Sequence, residues 1–343
     1  MSLQKQFLKF NDTIALDYEK RSTLKDKRDK IINILRNCKE LPSFDILNQG
    51  SYAMHTGVEP IIKNSTPQEY DIDVALLFNE EKENVDPLEY KKIIYKTIDG
   101  ITDYGAEIKK PCVTLTYKKN GERGYHIDLV TYTYDDLDKE DKQLYLARGK
   151  SDSDENICWE KGDPRGLLEY IDTKISDVER REQCRRIVRY LKRWKALKFG
   201  NNHSEPPSIA ITLIAFDNFI FHKDNDLHAL INIVSTISNL FTFGGFNIDG
   251  SELYTIYYSL PSSLKIDSFK NLFDKMSISQ MTAFKSKIDK LLKDLQAVEI
   301  DPDLISQCEK LNKIFGEDFI VPEKKETSKK TQNNYLPFSS TSG

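Results

Sequence analysis

EYDIDVALLF (residues 69–78) and YHIDLV (residues 125–130) are the two stretches whose reading decides the fold. Both read as β-strands, and residues two apart in a strand share a face. Asp71 and Asp73 therefore point one way while Ile72, Val74 and Leu76 face a core. Asp128, between Ile127 and Leu129, must likewise turn away from its apolar neighbours. Carboxylates on one sheet face repel, and a third nearby adds to the repulsion. A hard divalent cation among the oxygens would relieve it. Mg²⁺, with Mn²⁺ as a substitute, suits carboxylates, water and phosphate oxygens. A pair of such ions activates an attacking hydroxyl and steadies a leaving pyrophosphate. Upstream, Gly50-Ser51 in QGSYAMHT (49–56) supplies a complement. Glycine lets the backbone approach a phosphate closely, and the serine hydroxyl and adjacent amides donate to its oxygens.

Around these strands the chain divides by texture. Residues up to about Glu40 carry apolar positions at three-four spacing, which predicts one long helix or two shorter ones. CVTLTY (112–117) and YHIDLVTYTY (125–134) read as a hairpin turned at Asn120-Gly121, and a helix over 87–98 precedes it. Residues 135–165 read as a charged loop, and Leu167 to about Phe319 as helical. Ser176 and Glu179 have the spacing of a capping box, with Gly200 as a left-handed stop. The segment from 322 to Gly343 is polar and predicted to be disordered. The fold class expected is α+β and bilobed: a catalytic half over 1–165, a helical half over 166–321 and a tail over 322–343.

Composition excludes several classes. With 343 residues, 39% of them hydrophobic and 30% charged, the chain has material for a real core. No run approaches the roughly 18 apolar residues of a membrane span, and the start lacks the pattern of a secretory signal. Five scattered cysteines and no paired spacing read as reduced thiols, so a cytoplasmic location is expected. A net charge of −4 argues against a surface built to grip long duplex nucleic acid.

Together, Gln49-Gly50-Ser51, Gln68-Glu69-Tyr70-Asp71-Ile72-Asp73 and His126-Ile127-Asp128-Leu129 resemble the nucleotidyltransferases of the DNA polymerase β superfamily. The likeness is greatest to the bacterial cGAS/DncV-like synthases of signalling oligonucleotides. GDPRGLLEYI (162–171), RRIVRYLKRWK (185–195) and PPSIAITLIAF (206–216) extend it over roughly residues 40–320. The resemblance implies a template-free synthase joining ribonucleoside triphosphates into a cyclic di- or trinucleotide, made in related systems during phage infection to switch on an effector. It implies Asp71, Asp73 and Asp128 as ligands of two metal ions, with Asp128 favouring deprotonation of the attacking hydroxyl, and Gln49, Gly50 and Ser51 holding the donor triphosphate. Lys192 and Ser208 resemble the lysine and serine that grip the outer phosphates, Lys195 being the competing candidate; Asp249 resembles an aspartate near the nucleotide. It further suggests conjugation of the C-terminal Gly343 by ubiquitin-like ligation enzymes. Met54 departs from an aromatic residue that some relatives place near the base.

Single residues also have plainer readings. Ser208 has a local alternative as cap of the helix after Pro206-Pro207. His126 reads as a strand residue with a structural hydrogen bond, since Mg²⁺ prefers oxygen. His55 flanks the phosphate loop with nothing requiring it, and Tyr132 and Tyr134 read as sheet packing. Two other functions use the same carboxylates or fold: a linear transferase acting on an RNA or protein, and a regulatory module that binds nucleotide without turnover.

Overall fold

In the computed structural model, residues 2–16, 18–63, 66–67, 70–119, 122–199 and 205–323 are described. The opening segment forms two helices, α1 (Leu3–Ile14) and α2 (Tyr18–Arg36). Strand β1 (Phe44–Gln49) leads into a single helical turn, α3 (Gly50–Ala53). The short pair β2 (Ile62–Lys63) and β3 (Thr66–Pro67) precedes β4 (Tyr70–Glu81), and α4 (Glu89–Ile98) follows. Strands β5 (Ala106–Ile108), β6 (Val113–Lys119) and β7 (Glu122–Tyr134) come next, then β8 (Leu144–Arg148) and β9 (Cys158–Gly162). The second half holds α5 (Pro164–Lys174), α6 (Val178–Lys198), α7 (Ser208–Asp217) and α8 (Asp226–Asn239). A hairpin, β10 (Phe241–Phe246) and β11 (Glu252–Ile256), separates these from α9 (Ile278–Glu299) and α10 (Leu304–Phe315).

The main sheet runs β1-β4-β7-β6-β5, with β8 pairing β7 and β9 pairing β8. Only β4 and β7 lie parallel; the other main-sheet pairs are antiparallel. One face of the sheet presents Ile72, Val74, Leu76, Ile127 and Leu129 to Leu24, Ile31 and Leu35 of α2 and Ile94 and Ile98 of α4. These side chains are fully or nearly fully removed from water, and each such burial contributes about 1.5–3 kcal/mol. The same alternation turns the aspartates to the other face.

The second core gathers around α6, α7, α8, α9 and α10, and α1 belongs to it. Phe7, Phe10, Tyr190, Phe315 and Phe319 form an aromatic cluster there, with Phe10 stacked on Tyr190 at 5.3 Å. Tyr190 donates its hydroxyl to the Phe7 carbonyl at 3.0 Å, which fixes α1 on the helical half. The N-terminal helix, grouped by sequence with the catalytic half, is thus a strap between both.

Several expectations are corrected. Residues 135–165 are not wholly a loop, because β8 and β9 extend the sheet; their runs are short and interrupted by charge. The helical half contains the β10–β11 hairpin and an irregular run over 257–277. The N-cap of α6 is Asp177, accepting from the Arg180 amide at 2.9 Å, so Ser176 and Glu179 form no capping box. The β6–β7 hairpin forms as expected, whereas Asn120-Gly121, Gly200 and residues 324–343 lie outside the described residues.

Candidate active site

The acidic cluster is a product of strand register. Parallel pairing of β4 with β7 sets Asp73 opposite Asp128 and Asp71 opposite His126. One carboxylate oxygen from each of Asp71, Asp73 and Asp128 lies within 4.8 Å of the others. From β6, Thr114 donates its hydroxyl to Asp128 Oδ1 at 2.6 Å and fixes that carboxylate. His126 pairs through Nδ1 with the Thr116 hydroxyl at 3.1 Å, the structural bond expected for it.

Three like charges at this spacing resist ionising together. Asp71 opens to solvent, yet protein crowds its other sides, and desolvation followed by the charge of Asp128 raises its pKa. Asp73 is pushed up to about 7, by burial first and then by Asp71 and Asp128. A cation seated among the oxygens would reverse both effects. The donor set is oxygen alone, which suits a hard ion.

Gly50 brings the turn after β1 against this cluster. Its φ is +65°, and a Cβ there would stand 1.9 Å from Asp73 Oδ2, so backbone and packing both demand glycine. Gln49 pairs with Asp73 across β1–β4. Ser51 follows in α3, whose end is closed by the Thr56 amide on the Ser51 carbonyl at 3.0 Å.

Basic groups of α6 lie within electrostatic range of the aspartates. Lys192 donates to the Thr56 hydroxyl and carbonyl at 2.9 and 3.0 Å. Burial, then Lys195, pushes its pKa down to about 7, while Asp71 and Asp73 act in the opposite direction. Lys195 donates to Ser208 Oγ at 2.8 Å and to the Pro206 carbonyl at 3.2 Å, with Glu205 at 3.5 Å. Ser208 is therefore the partner of Lys195 and not of Lys192. Nor does it cap α7, since Pro207 occupies that position without a side-chain bond. Arg185 turns to Asp172 and Glu182, whereas Arg189 holds Asn11 and the His55 carbonyl. Arg185, Arg189 and Lys192, at i, i+4 and i+7 along α6, thus divide among three tasks.

A cleft of about 590 Å³ adjoins Gln49, Gly50 and Asp73. Its apolar walls include Met54, Tyr132, Trp159, Leu167, Ile209 and Leu264. Trp159 is aimed by its indole N–H, which donates to the Val85 carbonyl at 3.1 Å. The outer wall comes from the irregular run: Lys265 N donates to Asp163 Oδ2 at 3.0 Å, and Lys161 pairs with Asp267 at 2.8 Å. Sequence reading missed Trp159, Lys161 and the 260–270 wall. The only signal was an aromatic residue two places before Lys161 in CWEKG, just ahead of GDPRG. Tyr132, read as sheet packing, lines the cleft, while Tyr134, on the same face, packs with Ala75, Leu77 and Leu144. Asp249 does not join the site. It lies in the exposed β10–β11 turn and accepts from the Ser251 amide and hydroxyl at 2.9 and 2.6 Å. Gln68 and Glu69 lie outside the described residues.

Residues 44–132, which span the phosphate loop and all three aspartates, match the nucleotidyltransferase domain of DncV-like cyclic GMP-AMP synthases. Over these residues the chain is similar to the bacterial cGAS/DncV-like nucleotidyltransferases. It is 28% identical over 207 residues to a cyclic GMP-AMP synthase of Escherichia albertii, a match covering 58% of this chain and 43% of that relative. The fold extends further than the sequence likeness. Bradyrhizobium diazoefficiens CdnG, solved with GTP, superposes with a TM-score of 0.69 over 93% of this chain and 96% of its own, at 12% identity. Vibrio cholerae DncV, solved as a variant with ATP and GTP, gives 0.65 over 90% and 93%, at 16% identity. The same enzyme with the linear intermediate pppA(3′,5′)pG gives 0.63 over 90% and 93%, at 17% identity. Among the described residues, no helix is long and apolar enough to cross a membrane.

Proposed function

We propose that the protein is a template-free nucleotidyltransferase that joins ribonucleoside triphosphates into a cyclic di- or trinucleotide, releasing pyrophosphate. The observation that carries this is the convergence of Asp71, Asp73 and Asp128 within 4.8 Å beside a glycine whose positive φ and contact with Asp73 disfavour a side chain. The relatives' complexes with GTP, ATP and a linear dinucleotide support nucleoside triphosphates as substrates. Asp71, Asp73 and Asp128 would hold Mg²⁺, one ion or two. Bound there, the metal would supply charge neutralisation and acidify the attacking hydroxyl.

The chain's own groups do the rest. Asp128, fixed by Thr114, stands ready to accept the proton of the acceptor 2′- or 3′-hydroxyl as it attacks the α-phosphorus. Gln49, Gly50 and Ser51 seat the donor phosphates, and Lys195 with Ser208 meets the outer ones. The apolar cleft holds a base and excludes water. Catalysis then rests on positioning and electrostatics, with no covalent nucleophile in the chain required.

The proposal includes the catalytic half over 1–165, the helical half over 166–321 and the tail over 322–343, with α1 shared between halves. It also includes the cytoplasmic role: a messenger made in defence against phage, acting on an effector, with Gly343 open to conjugation by ubiquitin-like enzymes. Truncating residues 335–343 tests the last part, because unchanged conjugation with those enzymes present would sink it. For the activity, purified protein is incubated with ATP, GTP, CTP and UTP plus Mg²⁺, then with phosphatase, and survivors are identified by mass. A phosphatase-resistant product without free ends, absent from Asp71→Ala/Asp73→Ala, is expected and names the bases. A ladder of linear products would establish the linear transferase instead, and nucleotide binding without any product the regulatory module.

A further inference from the structure

Most polar side chains around the catalytic cleft are met by protein groups. The Trp159 indole donates to the Val85 carbonyl at 3.1 Å, Glu160 pairs with Arg148 at 2.7 Å, and Lys161 pairs with Asp267 at 2.8 Å. Asp163 accepts from the Gly166 and Lys265 amides at 2.8 and 3.0 Å. Tyr132 differs. It lines the cleft from β7 and is only 7% exposed, yet none of the described residues hydrogen-bonds its hydroxyl.

The ring itself is held in place. A Cβ on Gly162 of β9 would stand 2.8 Å from Tyr132 Cε1, so the glycine leaves room for the ring and little more. Leu146, its cross-strand partner on β8, lines the same cleft. Burial pushes the phenol pKa up, and the charge of Asp73 adds to this, so the hydroxyl keeps its proton. A buried hydroxyl without an acceptor is costly, and a molecule entering the cleft can supply one.

Position selects the kind of acceptor. Tyr132 stands four residues beyond Asp128 on the same face of β7, about 13 Å along the strand. The cleft walls are apolar there and include Trp159, Leu167, Ile209 and Leu264. Phosphates seated at the aspartates leave this apolar end to a base. We propose that Tyr132 is a specificity-determining residue, its hydroxyl donating to an acceptor atom on the edge of a nucleotide base. This rests on the nucleotidyltransferase reading of the cleft and adds a group that chooses among bases.

The test is binding without turnover. The α,β-methylene analogues of ATP, GTP, CTP and UTP, which lack the bond the reaction breaks, are titrated with Mg²⁺ by calorimetry, alongside tripolyphosphate. Tyr132→Phe keeps the ring and deletes the hydroxyl. It should weaken the tightest-bound analogue about tenfold and leave tripolyphosphate unchanged. The loss should differ among the four bases and persist with the 2′-deoxy and 3′-deoxy forms of that analogue. Gly162→Ala, which displaces the ring and keeps the hydroxyl, should weaken the same analogue about threefold. Unchanged affinities in Tyr132→Phe overturn the proposal. So does a loss equal for all four bases, or one shared by tripolyphosphate, which marks a purely structural role. A loss that vanishes with either deoxy form moves the contact to the ribose and overturns it too. These outcomes leave the reading of the cleft standing, whereas no binding of any analogue to the native chain would overturn that reading and this proposal with it.

Discussion

The sheet half and the helical half face each other at the acidic cluster with opposite electrostatic states. On β4 and β7 three carboxylates crowd together unneutralised, and Asp71 and Asp73 resist ionising as a result. On α6, Lys192 and Lys195 are already occupied by Thr56, Ser208 and the Pro206 carbonyl. The acidic side offers oxygens that suit a cation, whereas the basic side holds protein oxygens that a phosphate would replace. Strand register makes the first arrangement rigid; long, rotatable side chains make the second adjustable. The candidate site thus divides into a fixed acidic wall and an adaptable basic one.

The largest expected effect breaks the rigid side. Asp71→Asn/Asp73→Asn should lower synthesis by at least about 10³-fold, measured by product mass, while raising the Tm in EDTA because repulsion is gone. Gly50→Ala tests the close approach. Its Cβ displaces Asp73 and should reduce kcat by about 10²-fold at nearly unchanged circular dichroism. On the adjustable side, Lys195→Met should raise KM for triphosphate about tenfold, and Ser208→Ala about threefold. Arg185→Met, which removes a cation turned toward Asp172 and Glu182, should leave that KM nearly unchanged. Equal effects of Lys195→Met and Arg185→Met would erase the distinction drawn along α6.

The smallest effect concerns pH. Asp73 has a folded pKa of about 7 against an ordinary 3.8, so the folded chain binds the extra proton between these values. The contribution of this site to stability is then fullest below 3.8 and is lost as pH rises to about 7. The gain in Tm on adding Mg²⁺ should accordingly be larger at about pH 7.5 than at about pH 5.5. A gain independent of pH would show that Asp73 does not share the cation.

Much of the site was legible because strand alternation is a short-range rule. Asp71, Asp73 and Asp128 could be assigned to one face from their immediate neighbours, and the core facing α2 and α4 followed from the same residues. Gly50 was legible by type, although its contact with Asp73 was not. The partner of Ser208 was hidden because helical spacing gives the face of Lys192 and Lys195 but not which ammonium reaches across to α7. Trp159 and the 260–270 wall were hidden for another reason. Their positions depend on β8 and β9 joining the sheet edge and on polar ties such as Asp163 to Lys265, neither of which leaves a periodic trace. Asp249 misled because an aspartate ahead of glycine in a turn looks alike whether it serves a ligand or its own loop.

The outer wall of the cleft has a further consequence. The run from Leu260 to Lys270 has no ladder of its own and is fastened to the sheet half through Asp163, Gln143 and Lys161. Polar fastenings of this kind exchange with water one at a time, whereas the β4–β7 wall yields only if the sheet unzips. On the proposed cyclase function, a linear intermediate turning around between two bond-forming steps would rotate against one fixed jaw and one that gives. Solvent viscosity, which drags on loop motion and not on chemistry, becomes the natural dial on how fast such a ring can close.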